Sequence, residues 1–359
     1  MAKSKVKTPL GSTRKQVMGI KILGIETSCD ETAVGVVEDG RIMLSNVISS
    51  QADLHSPHGG VVPEVASRQH IRDLVPVLEQ ATSGANLVLE DIDAIAVTYG
   101  PGLAGSLLTG VNAAKGIAYS LAIPLIGVNH LEGHIYASWL SKANLEEDPG
   151  FPLACLVASG GHTDLLLMEG HGHYRLVGRT RDDAAGEAFD KAARILGLGF
   201  PGGPEIQRMS EGAIGEEQLP RAWMKDTLDF SFSGIKTALL HKAQDRGIYP
   251  TQQDGVDQKR IVKELAAAFQ ESVVDVISAK LVDMAAIYKV KGLVLGGGVT
   301  ANSRLREEIV KRSPMPVIIP PPILCTDNGA MIAACGYFQY QNGLETPMNI
   351  DVDPGLPLG

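Results

Sequence analysis

Short apolar runs separated by polar turns open the first half of the chain. They lie at Ile22–Ile25, Ala33–Val37 and Ile42–Val47, and an Asp39-Gly40 pair separates the last two. An Asp-Gly pair between β-branched runs is typical of a β-hairpin turn. The pattern therefore predicts three consecutive strands, the last two joined by a tight turn.

The same layout returns in the second half of the chain. Apolar runs at Leu153–Ala158, Asp164–Met168 and Tyr174–Val177 are separated by a polar turn and by a Gly-rich turn. In each half, helical patterns follow and then one more short apolar run, IDAIAVTYG in the first and KGLVLGGG in the second. We interpret this as a duplication of architecture rather than of sequence, which predicts an α/β fold with two similar domains.

One long helical pattern lies between residues 260 and 290. Its apolar positions recur every four residues and share one helix face: Ile261, Leu265, Phe269, Val273 and Ile277. A stripe of this kind is typical of a helix packed on a core. We expect it to be structural rather than a binding surface.

The domain boundaries are predicted from breaks in these patterns. The polar stretch SKANLEEDPGFP is typical of a linker between domains. We expect a disordered leader or a tag at 1–19, an N-terminal domain at 20–147 and a C-terminal domain at 148–326. A last helix, over about Asn328–Gln341, is expected in a C-terminal segment, 327–359, that packs back toward the N-terminal domain.

Composition and charge narrow the class of protein. Hydrophobic residues make up 44% of the chain and charged residues 20%, which is typical of a globular protein with ample core material. No apolar run reaches the roughly 18 residues that a membrane span needs, so no membrane partner is expected. The 4 cysteines lack paired spacing, which favours a reducing cytoplasm over a disulfide framework. A net charge of −9 disfavours nucleic-acid binding unless a local basic surface or a basic partner compensates.

Three turns rich in glycine or hydroxyl residues follow predicted strands. They are ETSCDET at Glu26–Thr32, ASGGHT at Ala158–Thr163, and LGGGVTANSR, which leads into a helix near Asn302. Glycines in such turns let backbone N–H groups approach a phosphate, and a helix N-terminus favours an anion. None of the three is a Walker A motif. Together they predict a nucleotide in a cleft between the two halves. The FPGGPEI corner is either a rigid bend or a contact to the ribose or adenine.

A pair of histidines forms a candidate metal site. His130 and His134 are four residues apart in NHLEGHIYASWL, so a helix places both imidazoles on one face. Asp327, in LCTDNGA, is a candidate third ligand, and two histidines with one carboxylate suit iron or zinc. A zinc peptidase needs H-E-x-x-H, whereas Glu132 stands two positions after the first histidine. An ordinary histidine pair without a metal is the alternative.

Ten ordered motifs make the chain similar to one known family. They are GIETSCDET, GGVVPEVASRQH, YGPGLAGSLLTG, NHLEGH, SGGHT, DDAAGEAFDKAARILGL, PGGP, FSFSGIKTALL, GGGVTANSRLR and CTDNGAMIA. Together they resemble the bacterial tRNA threonylcarbamoyladenosine transferase family (TsaD type), over about Ile20–Asp351, whose members were formerly labelled glycoprotein endopeptidases. The resemblance implies the fold of the actin, sugar-kinase and heat-shock ATPase superfamily, with a nucleotide cleft between two RNase H-like domains.

The resemblance also implies an activity, a cofactor and partners. The activity is transfer of the threonylcarbamoyl group from threonylcarbamoyl-AMP to the exocyclic amine of adenosine 37 in tRNAs that read ANN codons, which forms t6A and releases AMP. The cofactor is one divalent metal per chain, with Fe²⁺ favoured and Zn²⁺ as the alternative. ATP, ADP or AMP are alternative occupants of the substrate site. The partners are tRNA, a related degenerate subunit of TsaB type, a small ATPase of TsaE type and the synthase that makes threonylcarbamoyl-AMP, all in the cytoplasm.

The resemblance assigns roles to particular residues. The implied metal ligands are His130, His134 and Asp327. The implied substrate-binding residues are Val157, Ala158, Ser159, Gly160, Gly161, Asp190, Gly203 and Asn302. Asp30 or Glu31 is expected to order the phosphate site or to accept the amine proton, with a purely structural turn as the alternative. Apart from the resemblance, the candidate basic residues for tRNA are Arg68, Arg72, Arg179, Arg181 and Lys236, with an ordinary solvated surface residue as the alternative for each.

Three other functions are compatible with parts of the pattern. A metal-dependent peptidase fits the histidine pair but lacks the H-E-x-x-H arrangement. A non-enzymatic ATP-binding scaffold is permitted by the fold, although it has no need of a metal beside its phosphates. A sugar or acetate kinase would share the fold and transfer a phosphoryl group to a small acceptor.

Overall fold

The structure is a computed structural model of the chain and describes residues 19–58, 60–140, 149–213, 217–250 and 256–359. The predicted leader, apart from residue 19, and most of the predicted linker lie outside the described residues. The domain boundaries therefore stay predictions.

The first five strands form one mixed sheet. They are β1 (Lys21–Glu26), β2 (Glu31–Glu38), β3 (Ile42–Ser50), β4 (Ala94–Gly100) and β5 (Leu125–Asn129). Their spatial order is β3-β2-β1-β4-β5. The first three strands are antiparallel neighbours, whereas β4 pairs in parallel with β1, and β5 with β4. Strand β1 is central and buried over its whole length, as its apolar run predicts.

The last five strands form a second sheet with the same topology. They are β6 (Leu153–Ala158), β7 (Thr163–Gly170), β8 (His173–Arg179), β9 (Gly292–Gly296) and β10 (Val317–Ile318). Their spatial order is β8-β7-β6-β9-β10, again with an antiparallel trio and two parallel additions. The predicted α/β fold and its duplication are confirmed, because strand order and strand direction agree between the two sheets.

Ten α-helices cover the sheets in the described part of the chain. They are α1 (Ala52–His55), α2 (Pro63–Gly84), α3 (Ala104–Leu121), α4 (His130–Tyr136), α5 (Ala185–Ile195), α6 (Gly202–Ser210), α7 (Ser233–Asp245), α8 (Val256–Tyr288), α9 (Ser303–Arg312) and α10 (Gly329–Gln341). Among the described residues, no helix combines the length and the hydropathy that crossing a membrane requires.

The stripe predicted on the long helix is a core element. Leu265, Phe269, Val273 and Ile277 of α8 are buried in the core of the second half, and Ile261 packs against its edge. The prediction of a structural role is therefore confirmed.

Strand β3 is longer than its side-chain pattern predicts. Ser49 and Ser50 continue the ladder beyond Val47, opposite Thr32 and Glu31 of β2. Strand pairing is made by backbone groups, so polar residues extend the strand without extending the apolar pattern. The predicted end at Val47 is too early for this reason.

Helices α4 and α10 lie in a hydrophobic core shared by the two sheets. This core contains Ala96 and Val128 from the first sheet, Cys155 and Val294 from the second, and the run 330–335 of α10. Every residue of α4 is buried. The two helices are therefore fixed by both sheets at once.

Helix α10 touches the first sheet backbone to backbone. A Cβ on Gly24 of β1 would overlap the backbone of Gly329 and Ala333, and a Cβ on Gly35 of β2 would overlap the backbone of Ala330. Only glycine leaves room for so close an approach. The position of α10 on this sheet therefore depends on Gly24 and Gly35 having no side chain.

We expect Gly35→Ala to destabilise the protein by about 1–3 kcal/mol, because the added methyl group must push α10 away from the sheet. The midpoint of urea unfolding, followed by circular dichroism, measures the effect. Gly116→Ala is the matched control, since a Cβ at Gly116 meets no atom within 4 Å. That change lies inside α3 and should be neutral or stabilising. Equal midpoints for both variants would contradict the close packing.

Candidate functional site

Both histidines of the pair lie at the start of α4, directly after β5. The side-chain oxygen of Asn129 accepts a hydrogen bond from the backbone N–H of Leu131 at 2.9 Å and so caps the helix. His130 is the first helical residue, and His134 follows one turn later on the same face. The helix end therefore sets the direction of both imidazoles.

Asp327 completes a cluster of three potential ligands. It stands just before Asn328, whose side chain caps α10 by accepting from the N–H of Met331 at 2.9 Å. One ligand atom from each of His130, His134 and Asp327 lies within 4.8 Å of the others. The structure thus brings together the three residues predicted as ligands, from two ends of the shared core.

The unpaired nitrogens of His134 fit a metal ion. His134 is fully buried, and neither ring nitrogen has a hydrogen-bond partner among the described residues. Its Nε2 is 3.2 Å from Oδ1 of Asp327, but without hydrogen-bond geometry. Burying a polar atom without a hydrogen-bond partner destabilises a protein by on the order of 1–3 kcal/mol. Two imidazoles and a carboxylate are the donors that zinc or iron takes, so the residues fit such an ion.

A buried carboxylate behind the cluster orients His130. Oε2 of Glu26, at the end of β1, is 3.0 Å from Nδ1 of His130 and accepts from the hydroxyl of Thr98 at 2.6 Å. The hydroxyl of Ser28 is 3.1 Å from the same Nδ1. With Nδ1 engaged in this way, Nε2 of His130 is left to face Asp327, 3.6 Å away. Carboxylates commonly hold metal-binding histidines by the far nitrogen.

Sequence reasoning missed the role of Glu26. It appeared only as one of several carboxylates in the turn after the first strand. The available signal is its place at the end of an otherwise apolar strand, where an acid is rarely buried without a partner. The partner itself, His130, is 104 residues away in sequence.

Opposite charges in the cluster stabilise each other. Burial alone would lower the pKa of His130, but Asp327 and Glu26 raise it to about 9. Burial alone would raise the pKa of Asp327, but His130 and His134 lower it to about 2. The site therefore holds a positive charge between two carboxylates, which is the charge pattern that a bound cation would also meet.

Of the two carboxylates predicted as catalytic, Glu31 is affected by the charge of this cluster. Burial, followed by the charges of Asp327 and Asp30, raises the pKa of Glu31 far above its ordinary range. A nearby cation would oppose that shift. Glu31 also lies 3.5 Å from the hydroxyl of Ser50, which donates to it. Proximity to Asp327 is thus established, while the roles of Asp30 and Glu31 stay predictions.

A cavity of about 340 Å³ opens beside the metal cluster. Its walls include four of the predicted substrate-binding residues, Gly160, Asp190, Gly203 and Asn302. Thr326, the neighbour of Asp327, also lines it and so joins the cavity to the cluster. The volume lies within the range of about 300–1,000 Å³ that is usual for small-molecule sites. We call this space the first cavity.

Glycines leave the first cavity open at its walls. A Cβ placed on Gly160, Gly203 or Gly298 would meet no atom within 4 Å, so each glycine leaves space that a ligand can use. These glycines differ from Gly24 and Gly35, where the space that a side chain would take is filled by the backbone of α10. Gly298 and Thr326 were not among the residues predicted to bind substrate.

Two polar residues of the first cavity also support the fold. Oδ1 of Asp190 accepts from the N–H of Gly202 at 2.7 Å. Oδ1 of Asn302 accepts from the N–H of Leu305 at 3.0 Å and caps α9, while its amide donates to Gln270 at 2.8 Å. Helix α9 begins after Asn302, as predicted. Replacing either residue would therefore change local structure as well as the cavity wall.

The other predicted substrate-binding residues lie behind the first cavity. Val157 and Ala158 end β6, and their side chains are buried. The backbone N–H of Ser159 donates to the carbonyl of His162 at 2.8 Å, which closes a tight turn. Gly161 lies in the same turn and is exposed. Of this run, only Gly160 contributes to the cavity wall.

Most of the candidate basic residues are already paired with acids. Arg68 lies 2.7 Å from Glu64, Arg181 2.5 Å from Asp229, and Lys236 2.8 Å from Asp183. Arg72 and Arg179 are the exposed exceptions in this set, with no ion pair among the described residues. These two are the better candidates for phosphate contacts.

Glu132 does not serve the metal cluster as a peptidase base would. It is 5% exposed, and its Oε2 accepts from the side-chain amide of Gln339 at 2.9 Å. Gln339 lies near the far end of α10, roughly 15 Å along the helix axis from its first residue, Gly329. The carboxylate is thus directed away from the cluster, which removes the basis of the peptidase alternative.

Two five-stranded mixed sheets of equivalent strand order agree with the predicted fold of two RNase H-like domains of the actin, sugar-kinase and heat-shock ATPase type. Among solved structures, full-length HypF in its phosphate- and nucleotide-bound form has a TM-score of 0.57 at 13% identity, over 91% of this chain and 56% of that chain. Component A of (R)-2-hydroxyglutaryl-CoA dehydratase from Acidaminococcus fermentans has a TM-score of 0.52 at 15% identity, over 90% and 99%. These likenesses concern the fold alone.

Sequence comparison identifies the family. Residues 42–334 match the TsaD family, described as tRNA N6-adenosine threonylcarbamoyltransferase. Proteins of that name are 55% identical in Dehalococcoides mccartyi, over 94% of this chain and 99% of that protein, and 54% identical in Thermomicrobium roseum, over 94% and 96%. The chain belongs to the tRNA N6-adenosine threonylcarbamoyltransferase family. It is a transferase that forms t6A on tRNA, as the motifs predict.

We expect Glu26→Gln to weaken metal binding by roughly 10–100-fold, because the neutral amide holds and polarises His130 less well. Competition with a chelator, using Zn²⁺ as the probe, measures the affinity. Glu132→Gln is the matched control, since Glu132 is also buried and lies on α4 itself but bonds to Gln339. An unchanged affinity in Glu26→Gln, with native circular dichroism, would contradict the orienting role of Glu26.

Proposed function

We propose that the donor is threonylcarbamoyl-AMP and that the acceptor is the exocyclic amine of adenosine 37 in tRNAs that read ANN codons. The main support is the joining of two features at Thr326 and Asp327, a nucleotide-sized cavity and a cluster of metal ligands. A donor held in the first cavity by its adenylate part has its carbamoyl group beside the cluster. The acyl group and the side chains of the three metal ligands are then adjacent.

The chemistry is a transfer from a mixed anhydride. A bond forms between the amine nitrogen and the carbamoyl carbon, and the bond from that carbon to the phosphate oxygen breaks. AMP leaves with the electron pair, and the amine loses one proton. The leaving group is good and the conjugated amine is a poor nucleophile, so catalysis depends on positioning and on stabilising charge at the carbonyl oxygen.

His130, His134 and Asp327 are proposed to hold one divalent metal, with Fe²⁺ favoured and Zn²⁺ as the alternative. Such an ion, when bound, supplies a Lewis acid and a template for the acyl group. Glu26 fixes the imidazole of His130 from behind. Two nitrogens and one oxygen leave further positions free for the substrate.

The walls of the first cavity are proposed to bind the adenylate. Gly160 lies in the turn after β6, where its open side lets a phosphate approach the backbone. Asp190, Gly203 and Asn302 line the deeper part, and we assign them to the adenosine. The other predicted residues of this run do not line the cavity, and we assign them the role of fixing the conformation of the turn: Val157, Ala158, Ser159 and Gly161.

Asp30 and Glu31 are the two candidate groups for the phosphate region and for the amine proton. We propose that one of them orders the phosphate region or takes the amine proton. Asp30 lies in the turn that follows β1, and Glu31 is the first residue of β2.

We propose that this acidic chain needs partner subunits to bind tRNA. A net charge of −9 repels phosphates, and few cations are unpaired among the described basic candidates. We propose that Arg72 and Arg179 contact the RNA, and that a degenerate subunit of TsaB type and an ATPase of TsaE type complete the surface. A threonylcarbamoyl-AMP synthase would supply the donor in the cytoplasm.

A reconstituted assay tests the reaction. Labelled threonine, bicarbonate, ATP, the synthase, unmodified tRNA and the two partner subunits are combined with and without this chain, and label in tRNA is counted. We expect label only when the chain is present. Labelled adenylate without labelled tRNA would refute the proposal.

In the same assay, we expect His130→Ala to abolish transfer while its circular dichroism stays native, because the cluster loses one of two imidazoles. Metal content, measured by mass spectrometry, should fall in parallel. Normal transfer by metal-free His130→Ala protein would exclude the proposed role of the metal ligands.

We expect Gly203→Leu to weaken AMP binding at least tenfold without loss of stability, since the side chain would enter the first cavity. Isothermal titration with AMP measures the affinity. Gly234→Leu is the matched control. Each glycine is the second residue of its helix and has open space at its Cβ, but Gly234 lies outside the cavity. Equal affinities would place the nucleotide elsewhere.

A further inference from the structure

A second cavity, of about 320 Å³, lies near the metal cluster at the ends of β7 and β8. One wall is the C-terminal run 354–358, and the others include Leu131, His162 and Asp164. Of its lining, the proposed function uses only Arg179, as a contact to the RNA. A transfer reaction has two substrates, so a second cavity near the reacting group calls for an explanation.

The C-terminal tail is fixed across the first sheet by backbone hydrogen bonds. The N–H of Asp353 donates to the carbonyl of Tyr99 at 2.8 Å, and the N–H of Gly102 donates to the carbonyl of Pro354 at 3.2 Å. The side-chain amide of Asn129, next to His130, donates to the carbonyl of Pro357 at 3.1 Å. The tail is therefore a built wall of the second cavity.

Three contacts place the second cavity next to the metal cluster. Leu131 lines it and directly follows His130. Gly102 lines it and is packed so closely on Ser28 that a Cβ would overlap the Ser28 backbone. The hydroxyl of Ser28 is 3.1 Å from Nδ1 of His130.

One short turn separates the two cavities. Gly160 of this turn lines the first cavity, and His162 lines the second. The turn is closed by two hydrogen bonds, from the N–H of Ser159 to the carbonyl of His162 and from the N–H of His162 to the hydroxyl of Ser159. The cavities thus approach the cluster from different sides of the same turn.

Asp164 is an unpartnered acid in the wall of the second cavity. It is 7% exposed, and its carboxylate has no hydrogen bond or ion pair within 4 Å among the described residues. Its strand neighbour Arg179 lies opposite it in β8 and lines the same cavity. Burial raises the pKa of Asp164 to about 6, although the charge of Arg179 opposes this shift. The carboxylate oxygens are not among the fully buried atoms, so they are open to the cavity, where an N–H group of a ligand can donate to them.

The remaining walls suit an aromatic ring. Leu131, Leu176, Leu356 and the prolines at 101 and 354 provide apolar surface around the carboxylate. Enzymes that act on a nucleobase take it out of the stack, hold it between apolar side chains and read its edge by hydrogen bonds. Adenine offers an exocyclic amine as the donor that Asp164 lacks.

We propose that the second cavity receives the acceptor adenine of the tRNA, with Asp164 as a positioning residue that accepts a hydrogen bond from the exocyclic amine. This inference rests on the proposed function, because that function supplies the acceptor. The first cavity then delivers the donor and the second delivers the amine to the same cluster. Arg179, exposed beside Asp164, is placed to meet an adjoining phosphate.

The test compares two anticodon stem-loop RNAs in the absence of donor. One carries adenosine at the target position, and the other carries purine riboside, which lacks the amine. We expect the wild-type protein, with its partner subunits, to bind the adenosine loop roughly 10–100-fold more tightly, as a hydrogen bond to a charged group does. In Asp164→Ala the ratio should fall to near one, and Asp164→Asn, which keeps an acceptor oxygen, should restore part of it.

Controls separate positioning from general damage. Glu169→Ala removes another acid of β7, one that is exposed and lies 3.7 Å from Arg175, and should keep the wild-type ratio. If Asp164→Ala does not fold, Asp164→Leu keeps a similar volume in the wall and should give the same ratio near one. In steady state, Asp164→Ala should raise the KM for tRNA at least tenfold while the KM for the donor is unchanged.

The outcomes distinguish this inference from the proposed function. A wild-type ratio in folded Asp164→Ala or Asp164→Leu overturns the placement of the adenine, and so does a wild-type protein that does not distinguish the two loops. In either case, label transfer by wild-type protein in the reconstituted assay would leave the proposed function standing. Loss of that transfer in wild-type protein would refute the proposed function itself.

Discussion

The close contact between α10 and the first sheet is the constraint on which the site depends. Gly24 and Gly35 let the helix backbone reach the sheet, and the second sheet covers the other side of the shared core. Because α10 cannot move along the sheet without steric overlap, Asn328 and Asp327 at its start have a fixed position. Helix α4 is enclosed by the same core and is linked to α10 by the hydrogen bond from Gln339 to Glu132, so its histidines are held opposite Asp327.

Charge burial in the cluster is tolerated because every charge has a neighbour of opposite sign. Glu26, His130 and Asp327 form an alternating series, and removing one member would leave another buried without compensation. Such a group contributes little to stability on balance, but it defines where a cation can sit. The two ring nitrogens of His134, which have no hydrogen-bond partner among the described residues, also indicate a cation position, since an ion would give them the partner that the protein does not.

Two cavities border one turn, and in the proposed arrangement each would bring one substrate to the metal cluster. The turn after β6 presents Gly160 to the first cavity and His162 to the second. The apolar part of each wall comes from packed elements, while the few polar groups are placed by strand ends and helix caps. In the proposed arrangement, an RNA base would enter a local site of an acidic protein, although most of its candidate cations are paired with acids of its own.

The sequence alone determined eight of the ten strands in the described part of the chain, the long core helix, the duplication and the three metal-ligand candidates, because periodicity and spacing are local properties; β5 and β10 were not predicted. It placed the end of β3 too early, because backbone pairing with β2 extends through serines that the apolar pattern does not include. It also missed Glu26 as the partner of His130 and Asp164 as a wall of the second cavity. Those roles arise only when residues far apart in sequence meet, and burial and distance, which decide them, are properties of the tertiary structure.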